Sequence, residues 1–260
     1  MTTAALRAPR RLGSACYGLA LAAPVLAGAA LFVWLLLPTN EEQVIAAFSS
    51  GTRDRTRSQV HNVRLALASL DGRTVSPGGE FSFNQRVGPW GPDRGYVRAP
   101  VSFSGERVLD WGGGVCQAST VLYNTVLLAG LPVVERHRHY WPTTYVPAGQ
   151  DAAVAYPNID LRFRNTLSAP VRISARMEGE TVVVKLLSRA RPPAVRLERE
   201  LIARTPAAIV DRPRGLGRGK PTRGFPGATV ALYRVFPGDP ERREIVSRDS
   251  YPAQSRVVYQ

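Results

Sequence analysis

Cys116 stands at the head of an apolar run, WGGGVCQASTVLYNTVLLAG (residues 111–130), directly after Gly112, Gly113 and Gly114. A short distance on, RHRHYW (residues 136–141) holds His137 and His139, and Asp151 and Asp160 follow. A thiol at a helix start faces unpaired backbone N–H groups and the positive end of the helix dipole, which together favour the thiolate. An imidazole within reach would take the thiol proton, and a carboxylate would orient the imidazole. The candidate nucleophile is therefore Cys116. His139 is the candidate base, with His137 as alternate, and Asp151 the orienter, with Asp160 as alternate. Glycine lets backbone approach a ligand closely, so Gly113 and Gly114 join the candidate substrate-binding set, and the backbone at Gly114 and Val115 is a candidate oxyanion site. Gln117 beside the thiol completes that set, with Trp111 and Trp141, whose faces can stack on sugar rings.

The same residues admit two other chemistries. His137 and His139 sit two apart, so a strand would point both to one face. With Cys116 or Asp151 they would make a zinc set, although no Cys-x-x-Cys accompanies them. In the third reading the glycines form a tight turn, Cys116 packs as a small apolar side chain, and the histidines bond to backbone. Compartment bears on the choice. Residues 14–37 form an uncharged apolar stretch, long enough as a helix to span a bilayer core of roughly 30 Å. Arg7, Arg10 and Arg11 precede it and Glu41 and Glu42 follow, which leaves the N-terminus cytoplasmic and the rest outside. The run exceeds the usual apolar core of a signal peptide, so we expect a single-pass, uncleaved anchor in the cell membrane. Cys16 then lies in the membrane, and Cys116 is an unpaired thiol in a compartment where pairing is the rule.

The elements that must position these groups suggest an α+β fold, with a central buried helix packed on an antiparallel sheet. Val60, Val63, Leu67 and Leu70 recur at helical spacing before Gly72. Val115, Leu122, Val126 and Ala129 predict a second, buried helix, closed by Gly130 and Pro132. Strands are expected in EFSFN, YVRAPVSFS and ERVLDW, and then in TTYVPAG, AAVAY, IDLRFRN, PVRISARM and TVVVKLLS, with a hairpin turn at Gly179. The organisation expected is a cytoplasmic N-terminus (1–13), anchor (14–37), linker (38–57) and core domain (58–188). An Arg-, Pro- and Gly-rich connecting region (189–224) and a C-terminal β-hairpin and tail (225–260) follow.

The chain has 260 residues and a net charge of +14, almost wholly from arginine, since Lys185 and Lys220 are its only lysines. That charge predicts attraction to an anionic polymer. GRGKPT (residues 217–222) fails as a phosphate-binding loop, because Pro221 stands where Ser or Thr must hold magnesium. HExxH and GxSxG are absent from the sequence. We expect no cofactor and no nucleic-acid partner.

In the order of Cys at a helix start, then His, then Asp, the chain is similar to transglutaminase-like and papain-like enzymes. A wider resemblance covers residues 58–188. NVRLALASLDGRTVSPGGEFSFNQRVG, GYVRAP, GGGVCQASTVLYNTVLLAGLPVVERHRH and YVPAGQDAAVAYPNIDLRFRN resemble, in order and spacing, successive blocks of the VanW family. That family is named for a protein encoded in some vancomycin-resistance clusters, and the C-terminal hairpin is similar to one that often closes its members. The resemblance implies a cell-envelope context, with cell-wall polymer, either peptidoglycan or an anionic glycopolymer, as partner beside the membrane. The leading expectation is thiol-dependent hydrolysis or transfer of an amide in peptidoglycan or its peptide stems. The alternative is a non-catalytic module for wall binding or envelope assembly, linked to glycopeptide resistance.

Overall fold

A computed structural model describes residues 41–103, 106–212 and 224–259. The anchor expected at 14–37 and the segment before it lie outside these. Among the described residues no helix is long and apolar enough to cross a membrane.

The described chain begins with a strand, β1 (Gln43–Gly51), where a linker was expected. Its small and polar residues give a weak strand pattern, and its register comes from backbone pairing with a later strand. Helix α1 (Arg57–Leu70) follows, opened by a capping box between Thr56 and Gln59. Next come β2 (Thr74–Val75), β3 (Glu80–Ser82), a short α2 (Phe83–Val87) and the hairpin of β4 (Arg98–Phe103) and β5 (Glu106–Trp111). Helix α3 (Val115–Leu128) carries the candidate nucleophile at its second position. Then come β6 (Val133–Glu135), β7 (Arg162–Arg164), β8 (Val171–Glu178) and β9 (Thr181–Ser188), followed by β10 (Arg196–Thr205), β11 (Ile209–Arg212), β12 (Gly227–Phe236), β13 (Asp239–Tyr251) and β14 (Arg256–Tyr259).

The main sheet is antiparallel in the order β1-β9-β8-β2, and α3 packs on β1 and β9. Every position of α3 except Cys116 and Leu128 is buried, so the central helix on an antiparallel sheet is present. Gly130 adopts the left-handed conformation that closes it. The β8–β9 turn falls at Gly179, and β12 and β13 form the expected C-terminal hairpin, to which β10 adds a third strand. One pairing departs from the antiparallel pattern: β14 runs parallel to β11.

TTYVPAG and AAVAY are not strands. Residues 143–149 form turns and bends, and residues 152–156 make only isolated bridges, Ala153 with His137 and Ala155 with Ile159. The reason lies in what satisfies their backbone. Asn124 Nδ2 donates to Gln150 O (2.7 Å), Thr120 Oγ1 accepts from Ala152 N (3.0 Å), and Ser119 Oγ donates to Ala152 O (2.7 Å). The extended segment 150–154 is thus sewn along a helix and has no need of a sheet.

Helix α1 holds the other flank of the nucleophile. Asn62 is fully buried; its Nδ2 donates to Val97 O and Gly113 O, both at 2.9 Å, and its Oδ1 accepts from Val97 N at 2.9 Å. Leucine has nearly the same volume and none of these bonds. Asn62→Leu should therefore lower unfolding stability by about 2 kcal/mol, since it leaves the buried Gly113 carbonyl and both backbone groups of Val97 without this partner. Urea denaturation of the variant against the parent measures it.

Candidate active site

The turn before Cys116 is built by close approach, and the approach is to the protein's own backbone. A Cβ on Gly113 would lie 2.6 Å from Ala99 O, and Gly114, at φ +107°, faces the Gln59 carbonyl. Gly113 and Gly114, expected to contact a ligand, instead let α1 and β4 close on the turn. The Val115 N–H is also committed, donating to Gly112 O at 2.9 Å. At the candidate Gly114–Val115 oxyanion site the Val115 amide is therefore already bonded. The N–H of Cys116 belongs to the same first turn, whose amides lack intrahelical acceptors.

Cys116 keeps partial solvent access at the head of a buried helix. The imidazole of His139 reaches it. Nδ1 of His139 lies 2.7 Å from Asp151 Oδ2, which leaves Nε2 as the ring nitrogen that can face the sulfur, and the two groups lie close enough to shift each other's titration. The same Asp151 oxygen accepts the His139 backbone N–H at 2.6 Å, so one carboxylate fixes both the ring and the chain that carries it. Cys116, His139 and Asp151 thus meet as a relay.

Electrostatics follow from this geometry. Burial pushes the Cys116 thiol up, but the bond to His139, that ring's charge, the Val154 amide and the Arg55 charge outweigh it, and the net shift is downward. Val154 N lies 3.5 Å from the sulfur as a donor to the thiolate. Burial pushes His139 down, yet Asp151 and Cys116 together hold it up at about 9. Burial pushes Asp151 up, but its bonds to His139 and the charges of His139 and Arg136 bring it down to about 2. Both shifts favour the thiolate–imidazolium form of the pair over the neutral one.

The alternates lie elsewhere. His137 is exposed and pairs with Glu135 Oε1 at 3.0 Å, because the chain leaves the strand after β6 and turns the two rings apart. Asp160 is occupied in a local cap: its carboxylate takes the Ser82 hydroxyl at 2.5 Å and the backbone N–H groups of Asn84 and Leu161 at 2.8 Å. Gln117, expected as a substrate contact, has its amide engaged within the protein. It is buried, Nε2 donates to Ser50 Oγ and Gly51 O, and Oε1 accepts from Arg55. Trp111 is partly exposed beside Arg98, and Trp141 packs edge-on against Tyr140. Among the described residues no three His, Cys, Asp or Glu side chains group as metal ligands, so the zinc set has no geometric basis there.

Sequence reasoning missed the support behind Asp151. Arg136 donates from Nε to the Asp151 carbonyl at 2.7 Å, lies 3.3 Å from its carboxylate, and grips Asp249 of β13 through two contacts of 2.7 Å. Tyr251, also of β13, donates to Asp151 Oδ1 at 2.5 Å and accepts the Gly149 N–H at 2.8 Å. The C-terminal hairpin, far along the chain, therefore holds the orienting carboxylate. No short-range signal could give this; the one hint is a pair of polar residues, Asp249 and Tyr251, on one face of a predicted strand.

Two measurements bear on the site. In Asp151→Asn the burial of His139 remains while its counter-ion goes, so the ring should titrate at least two pH units below the parent's, as read by ring ¹⁵N NMR. The pH dependence of stability has two arms. The raised His139 contributes stability that is fully present below about 6.5 and lost as pH rises through about 9. The depressed Asp151 contributes stability present above about 4 and lost as pH falls through about 2. Thermal unfolding across pH should show both losses in the parent, and Asp151→Asn should flatten both.

Comparison with known proteins places this geometry in a family. Residues 58–187 match the family described as VanW like protein. An uncharacterized protein, YoaR of Bacillus subtilis (strain 168), is 38% identical over 146 residues, covering 56% of this chain and 47% of its own length. The vancomycin B-type resistance protein VanW of Enterococcus faecalis (strain ATCC 700802 / V583) is 27% identical over 143 residues, covering 53% of this chain and 52% of its own. The chain spans about half the length of these curated relatives. No solved structure matches it. From a match that takes in α1, the glycine turn, Cys116, His139 and Asp151, the chain belongs to the VanW-like family.

Proposed function

We propose that this is a cell-envelope protein, held at the membrane by residues 14–37, that hydrolyses or transfers an amide in peptidoglycan or its peptide stems. The observation that carries the chemistry is the relay of sulfur, imidazole and carboxylate, with the His139–Asp151 bond at 2.7 Å. The envelope setting is supported by family membership and by the resistance protein among its relatives.

In this reading the Cys116 thiolate attacks the amide carbonyl carbon, and the oxyanion gathers at the Cys116 N–H. His139 then gives its proton to the departing nitrogen, and the C–N bond breaks as the oxyanion collapses to the carbonyl of a thioester. Water then attacks the thioester and yields its proton to His139, which releases the acid and restores the thiol pair. An acceptor amine in place of water gives transfer. Asp151 keeps the imidazole in the one tautomer and orientation that serve both steps. The arginine-rich surface would draw the protein to an anionic wall.

The test uses the full-length chain with Cys16→Ser, so that a single thiol reports. Iodoacetamide should label Cys116 rapidly at pH values well below the ordinary thiol pKa of about 8.5, and Asp151→Asn should slow this at neutral pH. Peptidoglycan fragments should gain new carboxyl or amide ends on incubation, with a loss of at least about a thousandfold in Cys116→Ala. A thiol that labels only after denaturation would sink the enzymatic reading and leave a wall-binding module.

A further inference from the structure

Arg55 lies in the segment between β1 and α1 and is tied to residues around the nucleophile. Its Nε donates to Gln117 Oε1 at 3.0 Å, and its guanidinium carbon stands 4.3 Å from the centroid of the Tyr145 ring. The Tyr145 hydroxyl in turn donates to the Cys116 carbonyl at 3.4 Å. Gln117 is itself fixed by Ser50 and Gly51, so both supports of the guanidinium are rigid. Among the described residues no carboxylate lies within ion-pair distance of Arg55. Arg136, the other arginine of the site, is used up by Asp151 and Asp249. A stacked, oriented guanidinium without a carboxylate partner presents its two terminal nitrogens as a fork that matches a carboxylate.

We infer that Arg55 is a carboxylate-binding residue beside Cys116, selecting peptides that carry a free carboxylate next to the amide attacked by Cys116; this rests on the thiol-enzyme reading above. A substrate peptide places its carboxylate and its neighbouring carbonyl one residue apart, about 3.8 Å between α-carbons. Arg55 is held by the side chain that follows Cys116 in sequence and by the ring that bonds the Cys116 carbonyl, which keeps the guanidinium in the neighbourhood of the sulfur. Peptide amides would lack the anchor, while free acids would dock with the carbonyl over the sulfur. Recognition of this kind depends on a fixed planar fork, so lysine is a poor substitute.

The experiment needs no knowledge of the natural substrate. Iodoacetate and iodoacetamide differ only in presenting a carboxylate or a neutral amide beside the reacting carbon. Their alkylation rates at Cys116 are compared in the full-length Cys16→Ser chain and in its Arg55→Gln and Arg55→Lys variants. The ratio of iodoacetate to iodoacetamide rates should fall about tenfold in Arg55→Gln, a ratio in which any change in the thiolate fraction cancels. N-acetylalanine should protect Cys116 from iodoacetamide and N-acetylalanine amide should not. Arg55→Lys, which keeps the charge and loses the fork, should lose at least about threefold of that protection, and it reports even where the Gln variant unfolds. An unchanged ratio with a still-reactive thiol, or full protection in Arg55→Lys, overturns the assignment of Arg55 alone. Slow reaction with both reagents in the parent overturns the thiol reading, and this inference with it.

Discussion

The match of spacing between a helix and the extended segment that runs antiparallel along it sets the position of everything else at the site. Four residues of helix rise about 6 Å, and two residues of extended chain advance about 6.6 Å. Cys116, Thr120 and Asn124, four apart on α3, can therefore meet Val154, Ala152 and Gln150, two apart and in reverse order. A one-residue slip would turn Asp151 away from His139 and bring neighbouring side chains into its place. The ladder so made consists of side chain to backbone bonds in a buried setting, where an unmade bond is costly. It converts the rigidity of a packed helix into the position of a carboxylate one turn of chain away from a sulfur.

Charge balance accounts for the second layer. Asp151 is buried and ionised, a state that burial alone would forbid. It is tolerated because His139, Arg136 and the Tyr251 hydroxyl converge on it. Arg136 would then overcompensate, pushing against the imidazolium, were Asp249 not there to take its other edge. The hairpin of β12 and β13 is thus part of the same electrostatic unit as α3. Residues outside the 58–187 match supply the counter-charge and the phenol that let the matched residues hold their protonation states.

How much of this the sequence disclosed follows the range of each interaction. α1, α3 and the β8–β9 hairpin rest on local periodicity and turn glycines, and they were legible. β1 was not, because QVIAAFSSG carries small side chains and its pairing partner lies more than a hundred residues away. The strands expected at 143–149 and 152–156 failed for the opposite reason: apolar alternation signals an extended chain but does not say whether a sheet or a helix will satisfy its backbone. At the site, residue types and order pointed to Cys116, His139 and Asp151, and the fold brings those three together. Gly113, Gly114 and Gln117 meet protein atoms beside the cysteine, and a glycine needed for close approach looks the same in sequence whether backbone or ligand approaches.

The burial pattern of α3 bears on what Cys116 is for. A cysteine kept for packing would be expected at one of the positions that face hydrocarbon, as Ala118, Val121 and Leu122 do. Cys116 is half-buried and packs at the edge of that core, and it also contacts the Val154 amide, with an imidazole and a guanidinium near enough to act on its charge. The two cations and the Val154 N–H favour the anion of sulfur, while the Val154 carbonyl, 3.4 Å from the sulfur, accepts from the neutral thiol. Assembling them takes a left-handed glycine at the helix cap, a buried carboxylate and a buried arginine, all features that a plain core would avoid. A fold that needed only a small apolar side chain at this point would be simpler with alanine, and Asp151, Arg136 and Asp249 would then have no charge to organise.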